Sequence, residues 1–125
     1  MPELPEVETT RRGVEPYCVG EVVQQLVVRE ARLRWPVPEN LPGLLAGREI
    51  QAVERRAKYL MFRTGTGSLL VHLGMSGSLR VVPAGQLPGK HDHIDIQLRS
   101  GPILRFNDPR RFGCFLWLQP DEVHP

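Results

Sequence analysis

The feature that most limits this fold is the brevity of its apolar runs beyond Gly20. Residues 22–28, 49–55, 59–63, 68–72, 78–82, 93–98, 103–106 and 114–118 are each apolar or alternating, and turn formers separate them. Runs of this length predict strands of a mainly antiparallel β architecture, because a helix needs a longer amphipathic stretch to bury one face. The clearest is His93-Ile94-Asp95-Ile96-Gln97-Leu98, whose alternation turns Ile94, Ile96 and Leu98 toward a core. Thr64-Gly65-Thr66-Gly67 and Ser100-Gly101-Pro102 are suited to hairpin connections. The 12 Gly and 12 Pro are spread as punctuation, without a repeat or low-complexity tract. No apolar run approaches the roughly 18–20 residues that span a bilayer.

Only the start of the chain departs from this pattern. Pro5 fits the first turn of a helix, where its missing N–H costs nothing, and Glu6 and Glu8 complement the helix dipole. A helix is expected over 4–14, with Leu4, Val7 and Val14 on one face, closed by Pro16. A short second helix is expected over 40–46, ending at Gly47. A length of 125 residues supplies one core. The predicted fold is a two-sheet antiparallel β-sandwich flanked by an N-terminal helix and a second short helix.

The formal charge of +2 is too small to identify a nucleic-acid binder. It conceals an asymmetry: the first 30 residues hold six Glu against three Arg, and the remainder is basic and could face an anion. Cys18 and Cys114 belong to no metal-ligand spacing, so reduced intracellular thiols are expected and no metal site is assigned. The start Met1-Pro2-Glu3 lacks the basic and apolar regions of a cleaved signal.

Removal of Met1 would leave Pro2 with a secondary amine. An α-amino group has a pKa near 8, so a sizeable fraction is unprotonated at neutral pH and can condense with an aldehyde-level carbon such as a sugar C1′. Glu3 and Glu6 are near enough in sequence to donate and relay protons. Two prolines that merely stiffen a terminus are the alternative, and spacing alone favours it.

The string Met1-Pro2-Glu3-Leu4-Pro5-Glu6-Val7-Glu8-Thr9-Thr10-Arg11-Arg12-Gly13 closely resembles the start of bacterial formamidopyrimidine-DNA glycosylases. Further segments resemble the same family in the same order: Arg32-Leu33-Arg34-Trp35-Pro36, Arg55-Arg56-Ala57-Lys58-Tyr59-Leu60, His72-Leu73-Gly74-Met75-Ser76-Gly77-Ser78-Leu79-Arg80, and Lys90-His91-Asp92-His93 with Asp108-Pro109-Arg110-Arg111-Phe112-Gly113. The resemblance runs to about Leu118. It implies a glycosylase that removes oxidised purines and cleaves abasic sites by β,δ-elimination, with Pro2 as the nucleophile and Glu3 as the proton donor. Leu4 departs from the Pro-Glu-Gly-Pro-Glu start of the related endonuclease VIII branch, which favours oxidised purines as substrate.

The same resemblance implies roles for the remaining candidates. Lys58 would approach a phosphate near the lesion, a task suited to a compact cation; by composition alone the Arg55-Arg56-Lys58 cluster is a solvated face. His72 and His91 would lie at the DNA backbone. Met75, Arg110 and Phe112 match a void-filling trio, which an enzyme that extrudes a base requires; a Met folded back into the core is the alternative. Arg111 is a structural or phosphate contact. His91, Asp92 and His93 could suggest a metal, yet on a strand the two His share a face that Asp92 leaves.

Full-length relatives are expected to carry a helix-two-turn-helix domain and a four-Cys zinc finger after this region. The 125 residues hold neither, so the isolated chain is expected to bind lesion-containing or abasic double-stranded DNA weakly and to have little activity. No cofactor is expected of this stretch. The expected setting is the bacterial cytoplasm and the expected state a monomer. A damaged-DNA-binding module without catalysis, or a plain structural β domain, are the rivals.

Overall fold

The computed structural model describes residues 4–120 of the chain. Two helices and eight strands follow the order α1 (Leu4–Cys18), β1 (Val23–Val28), α2 (Leu41–Leu45), β2 (Ala52–Arg56), β3 (Tyr59–Thr64), β4 (Gly67–His72), β5 (Ser78–Val82), β6 (Asp92–Leu98), β7 (Ile103–Asn107) and β8 (Cys114–Leu118). They form two four-stranded antiparallel sheets, β1-β6-β7-β5 and β2-β3-β4-β8. The expected class and all eight expected strands are present. No helix among the described residues is long and apolar enough to cross a membrane.

One core lies between the sheets. Val23, Leu26, Leu79, Ile94, Ile96, Leu104 and Phe106 enter it from the first, and Val53, Leu60, Phe62, Leu69, Val71 and Phe115 from the second. Phe106 and Phe115 meet edge to face across the gap, their centroids 5.0 Å apart, a favoured geometry for aromatic quadrupoles. The turn between β3 and β4 needs Gly67 at φ 151°, because a Cβ there would lie 2.2 Å from the Trp117 ring.

The first helix runs four residues past its expected end and through Pro16. Proline removes one backbone bond of the last turn. Continuing the helix, however, buries Val14 and Cys18 with Val7 on a single apolar face against the core, and that burial outweighs the missing bond. Leu4's side chain lies outside the described residues. The second helix spans five residues, with Leu41 and Leu45 buried and Pro42 in its first turn.

The chain passes between sheets twice at one end. Residues 73–77 lead from β4 to β5, and 108–113 lead from β7 to β8. Since His72 pairs with Cys114 and Ser78 with Asn107, the two crossovers begin and end on neighbouring strands and run side by side.

Candidate nucleic-acid interface

Register gathers the candidate residues. Tyr59, His72 and Cys114 form one row across β3, β4 and β8. Lys58 precedes that row in the β2–β3 turn, Met75 follows it in the first crossover, and Phe112 precedes it in the second. His91 joins the group because its carbonyl accepts the Asp108 N–H at 3.0 Å. The loop before α2 is tied in through the Arg34 N–H, which donates to the Gly113 carbonyl.

The turn that carries Lys58 is strained, as Ala57 sits at φ 53°, a region costly for residues with a Cβ. His72 is half-buried with its ring edge-on to Tyr59, at a centroid distance of 5.1 Å. Its Nδ1 accepts the Gly74 N–H at 3.0 Å. This bond assigns the neutral tautomer whose Nε2 carries the proton. Burial, and then the positive charges of Lys58 and Arg34, push the imidazole below its ordinary pKa. The result is a hydrogen-bond donor without charge, beside cations. Arg34, Trp35, Tyr59, His72 and Cys114 line a recess here.

The crossovers expose what a core would hide. Met75 is 54% exposed, Phe112 42% and Trp35 56%. The Met75 side chain therefore protrudes and does not fill a gap in the core. Gly74, at φ 71°, lets its turn lie against the second crossover; a Cβ would stand 2.6 Å from the Phe112 carbonyl carbon. Arg110 is exposed beside Phe112, and with Arg32, Leu33, Arg34 and Arg111 they line a shallow groove. Arg111, at φ 58°, is exposed and paired: its N–H donates to Asp108, and its guanidinium lies 3.7 Å from Glu30. The Arg32 guanidinium beside it holds the Glu30 carboxyl down to about 2.

Glu6 is exposed in the first turn of α1. Pro2 and Glu3 lie outside the described residues. The His91 and His93 rings are 6.1 Å apart, but His93 Nε2 donates to the Asp108 carbonyl at 2.9 Å. Asp92 accepts from the Gly89 N–H and Asn107. Among the described residues no group of three His, Cys, Asp or Glu could hold a metal. Cys18 and Cys114 are buried in α1 and β8, and burial pushes the Cys18 thiol up to about 12.

Residues 1–115 match the family model of the formamidopyrimidine-DNA glycosylase N-terminal domain. The chain belongs to the formamidopyrimidine-DNA glycosylase family. It is 60% identical over 124 residues to the formamidopyrimidine-DNA glycosylase of Stutzerimonas stutzeri, covering 99% of the chain and 46% of that protein. It thus spans about half the length of the curated relatives it matches. The Lactococcus lactis glycosylase bound non-covalently to AP-site DNA superposes with a TM-score of 0.89 at 34% identity, covering 98% of this chain and 47% of that one. The same enzyme with FAPY-dG DNA gives 0.87 at 35%, covering 95% and 45%.

Arg34, Trp35, Tyr59, Ser76 and Asp108 join the glycosylase-like end without having been assigned roles from sequence. All five stand in motifs that carried the resemblance, so a signal existed for each. What no motif shows is the bond between Ser76 and Asp108, which lie 32 residues apart.

Proposed function

We propose that the chain is the catalytic N-terminal half of a base-excision glycosylase and AP lyase acting on oxidised purines in double-stranded DNA. The observation that carries this is the pair of exposed side chains, Met75 and Phe112, on adjoining crossovers at the strand ends that also hold Lys58 and His72. A duplex whose nucleotide is turned out has a hole to fill and a partner base to hold. Met75 and Phe112 fill it, and Arg110 donates to the widowed base. Lys58 neutralises a phosphate beside the lesion, His72 and His91 donate to the backbone, and Arg111 braces the second crossover.

The chemistry is assigned to the terminus. With Met1 removed, the Pro2 nitrogen attacks C1′ and the base leaves, with Glu3 supplying a proton and Glu6 relaying one. The iminium draws electrons from C2′, whose proton becomes acidic, and β- then δ-elimination breaks the strand. None of these steps needs a metal. A zinc finger in full-length relatives has no counterpart here, for the two cysteines are separate and buried, and no step passes through zinc. The setting is the bacterial cytoplasm and the working form a monomer. Held to these 125 residues, the grip is expected to be weak, since each phosphate contact contributes to a largely electrostatic association.

Three measurements test this. Intact mass is expected to show Met1 removed; its retention would make the Pro2 nitrogen an amide and end the imine route. At low salt the chain is expected to prefer a duplex bearing a stable abasic analogue over an undamaged one. Equal binding to both would overturn the assignment. Borohydride trapping on an 8-oxoguanine duplex is expected to be poor for the chain alone, and efficient trapping would show that the half-grip suffices.

A further inference from the structure

Asp108 stands where the two crossovers meet, and it is wholly buried. A carboxylate out of water is costly unless donors satisfy it. Here Oδ1 accepts from the Ser76 hydroxyl at 3.0 Å and the Arg111 N–H at 3.1 Å, and Oδ2 accepts from the Gly113 N–H at 2.8 Å. One donor belongs to the Met75 crossover and two to the Arg110–Phe112 crossover. The main chain of Asp108 is fixed as well, its N–H donating to the His91 carbonyl and its carbonyl accepting from His93. No periodic or catalytic role requires an acid at this place. What it does require is an acceptor that faces donors from two directions.

We propose that Asp108 is a positioning residue that locks the two crossovers into a single wedge, so that Met75, Arg110 and Phe112 meet a duplex as one unit. This rests on the DNA-repair assignment above. Tight packing supports the lock: Gly74 lies against the Phe112–Gly113 backbone, and a Cβ on Gly113 would stand 2.6 Å from the His72 carbonyl oxygen. The Ser76 hydroxyl is the link that joins the crossovers through Asp108. Asparagine at 108 has nearly the same shape, yet its amide group would set a donor against the Gly113 N–H or against the Arg111 N–H; the Ser76 hydroxyl can turn to accept, so the bond to Ser76 carries the strain from the second crossover to the first.

Two variants of the 125-residue chain test the lock, Asp108→Asn and Ser76→Ala. Amide hydrogen exchange, measured without DNA, is expected to accelerate in Asp108→Asn at Arg111 and Gly113, and also at least about fivefold at Gly74 and Gly77, while β3 amides keep their protection. Acceleration confined to 108–113 would overturn the coupling. Fluorescence anisotropy then compares a duplex carrying a tetrahydrofuran abasic analogue with the same strand alone, which offers no stacked hole to fill. Both variants are expected to lose at least about fivefold in duplex affinity and to stay within about twofold on the single strand. Equal losses on both substrates, or no loss on the duplex, would overturn the proposal. If the wild-type chain fails to prefer the abasic duplex over an undamaged one, the DNA-repair assignment falls, and the exchange measurement alone decides whether Asp108 joins the crossovers.

Discussion

His72 is held neutral by its surroundings, and this has a measurable consequence. Its folded pKa lies below the unfolded value near 6.5, so the folded state binds fewer protons in the window just beneath that value. Stability from this group is therefore complete above about pH 6.5 and is lost as pH falls toward the folded pKa. Protonation also removes the Nδ1 acceptor from the Gly74 N–H. Chemical denaturation is expected to show a lower midpoint at about pH 5 than at about pH 8, with a smaller difference in His72→Gln. In Lys58→Met the His72 pKa is expected to rise in an NMR titration; an unmoved value would assign the shift to its other causes, burial first among them. Met75 and Phe112 make the opposite case. Their side chains face solvent, so Met75→Ala and Phe112→Ala are each expected to change stability by no more than about 0.5 kcal/mol. A loss of several times that in urea titrations would mean that the crossovers need these side chains to fold.

At the scale of the elements, β6 and β7 hold more than their alternation announces. Ile94, Ile96 and Leu98 enter the core as their period requires, but Asp95 and Arg105 on the opposite face are buried too. Arg105 clasps Asp95 at 2.9 and 3.0 Å, Arg29 reaches the same carboxylate at 2.6 Å, and the Leu87 carbonyl accepts from Arg105. Burial alone would raise the Asp95 pKa, but the hydrogen bonds from Arg105 and Arg29 outweigh it and hold the carboxyl below its ordinary value. Arg105→Leu is expected to cost about 3–5 kcal/mol, because it leaves a buried carboxylate half satisfied. The loss is expected to shrink in the double variant Asp95→Leu with Arg105→Leu, and a cost no smaller than that of the single variant would show that packing, not the uncompensated charge, is decisive. This pair explains what was legible in the sequence and what was not. Strand periodicity is local, and it located the eight strands to within a few residues. Whether a polar strand face is wet depends on a loop folding over it, here residues around Leu87, and periodicity does not carry that information. The same holds for α1, whose end was set by the burial of Cys18 and not by the local preference of Pro16. At the candidate site Met75, Arg110 and Phe112 were legible through their motifs. Asp108 stands in the same motif as Arg110 and Phe112, but its bracing role was not legible, because its partners come from two crossovers that only sheet pairing brings together.

For the molecule as a whole, the proposed role makes the balance of charge at the crossover end decide how affinity for DNA should depend on salt. The net charge of +2 is small, but Lys58, Arg34 and Arg110 lie at this end, and Arg111 and Arg32 lie beside Glu30 there. About three phosphates neutralised would give a slope of log affinity against log salt near −3, because each neutralised phosphate releases about 0.9 of a counterion. Lys58→Ala is expected to flatten the slope by about 1 and to weaken binding to damaged and undamaged duplexes alike. His72 separates hydrogen bonding from charge. At about pH 8 its imidazole is neutral, so His72→Gln is expected to reduce affinity without altering the slope. Below its folded pKa the same imidazole becomes a cation and releases counterions, and there the wild-type slope is expected to be steeper than that of His72→Gln. Anisotropy titrations over salt at the two pH values decide the matter. A slope that His72→Gln flattens equally at both would show that the ring is charged when DNA is bound, and that the phosphate overrides the influence of Lys58 and Arg34.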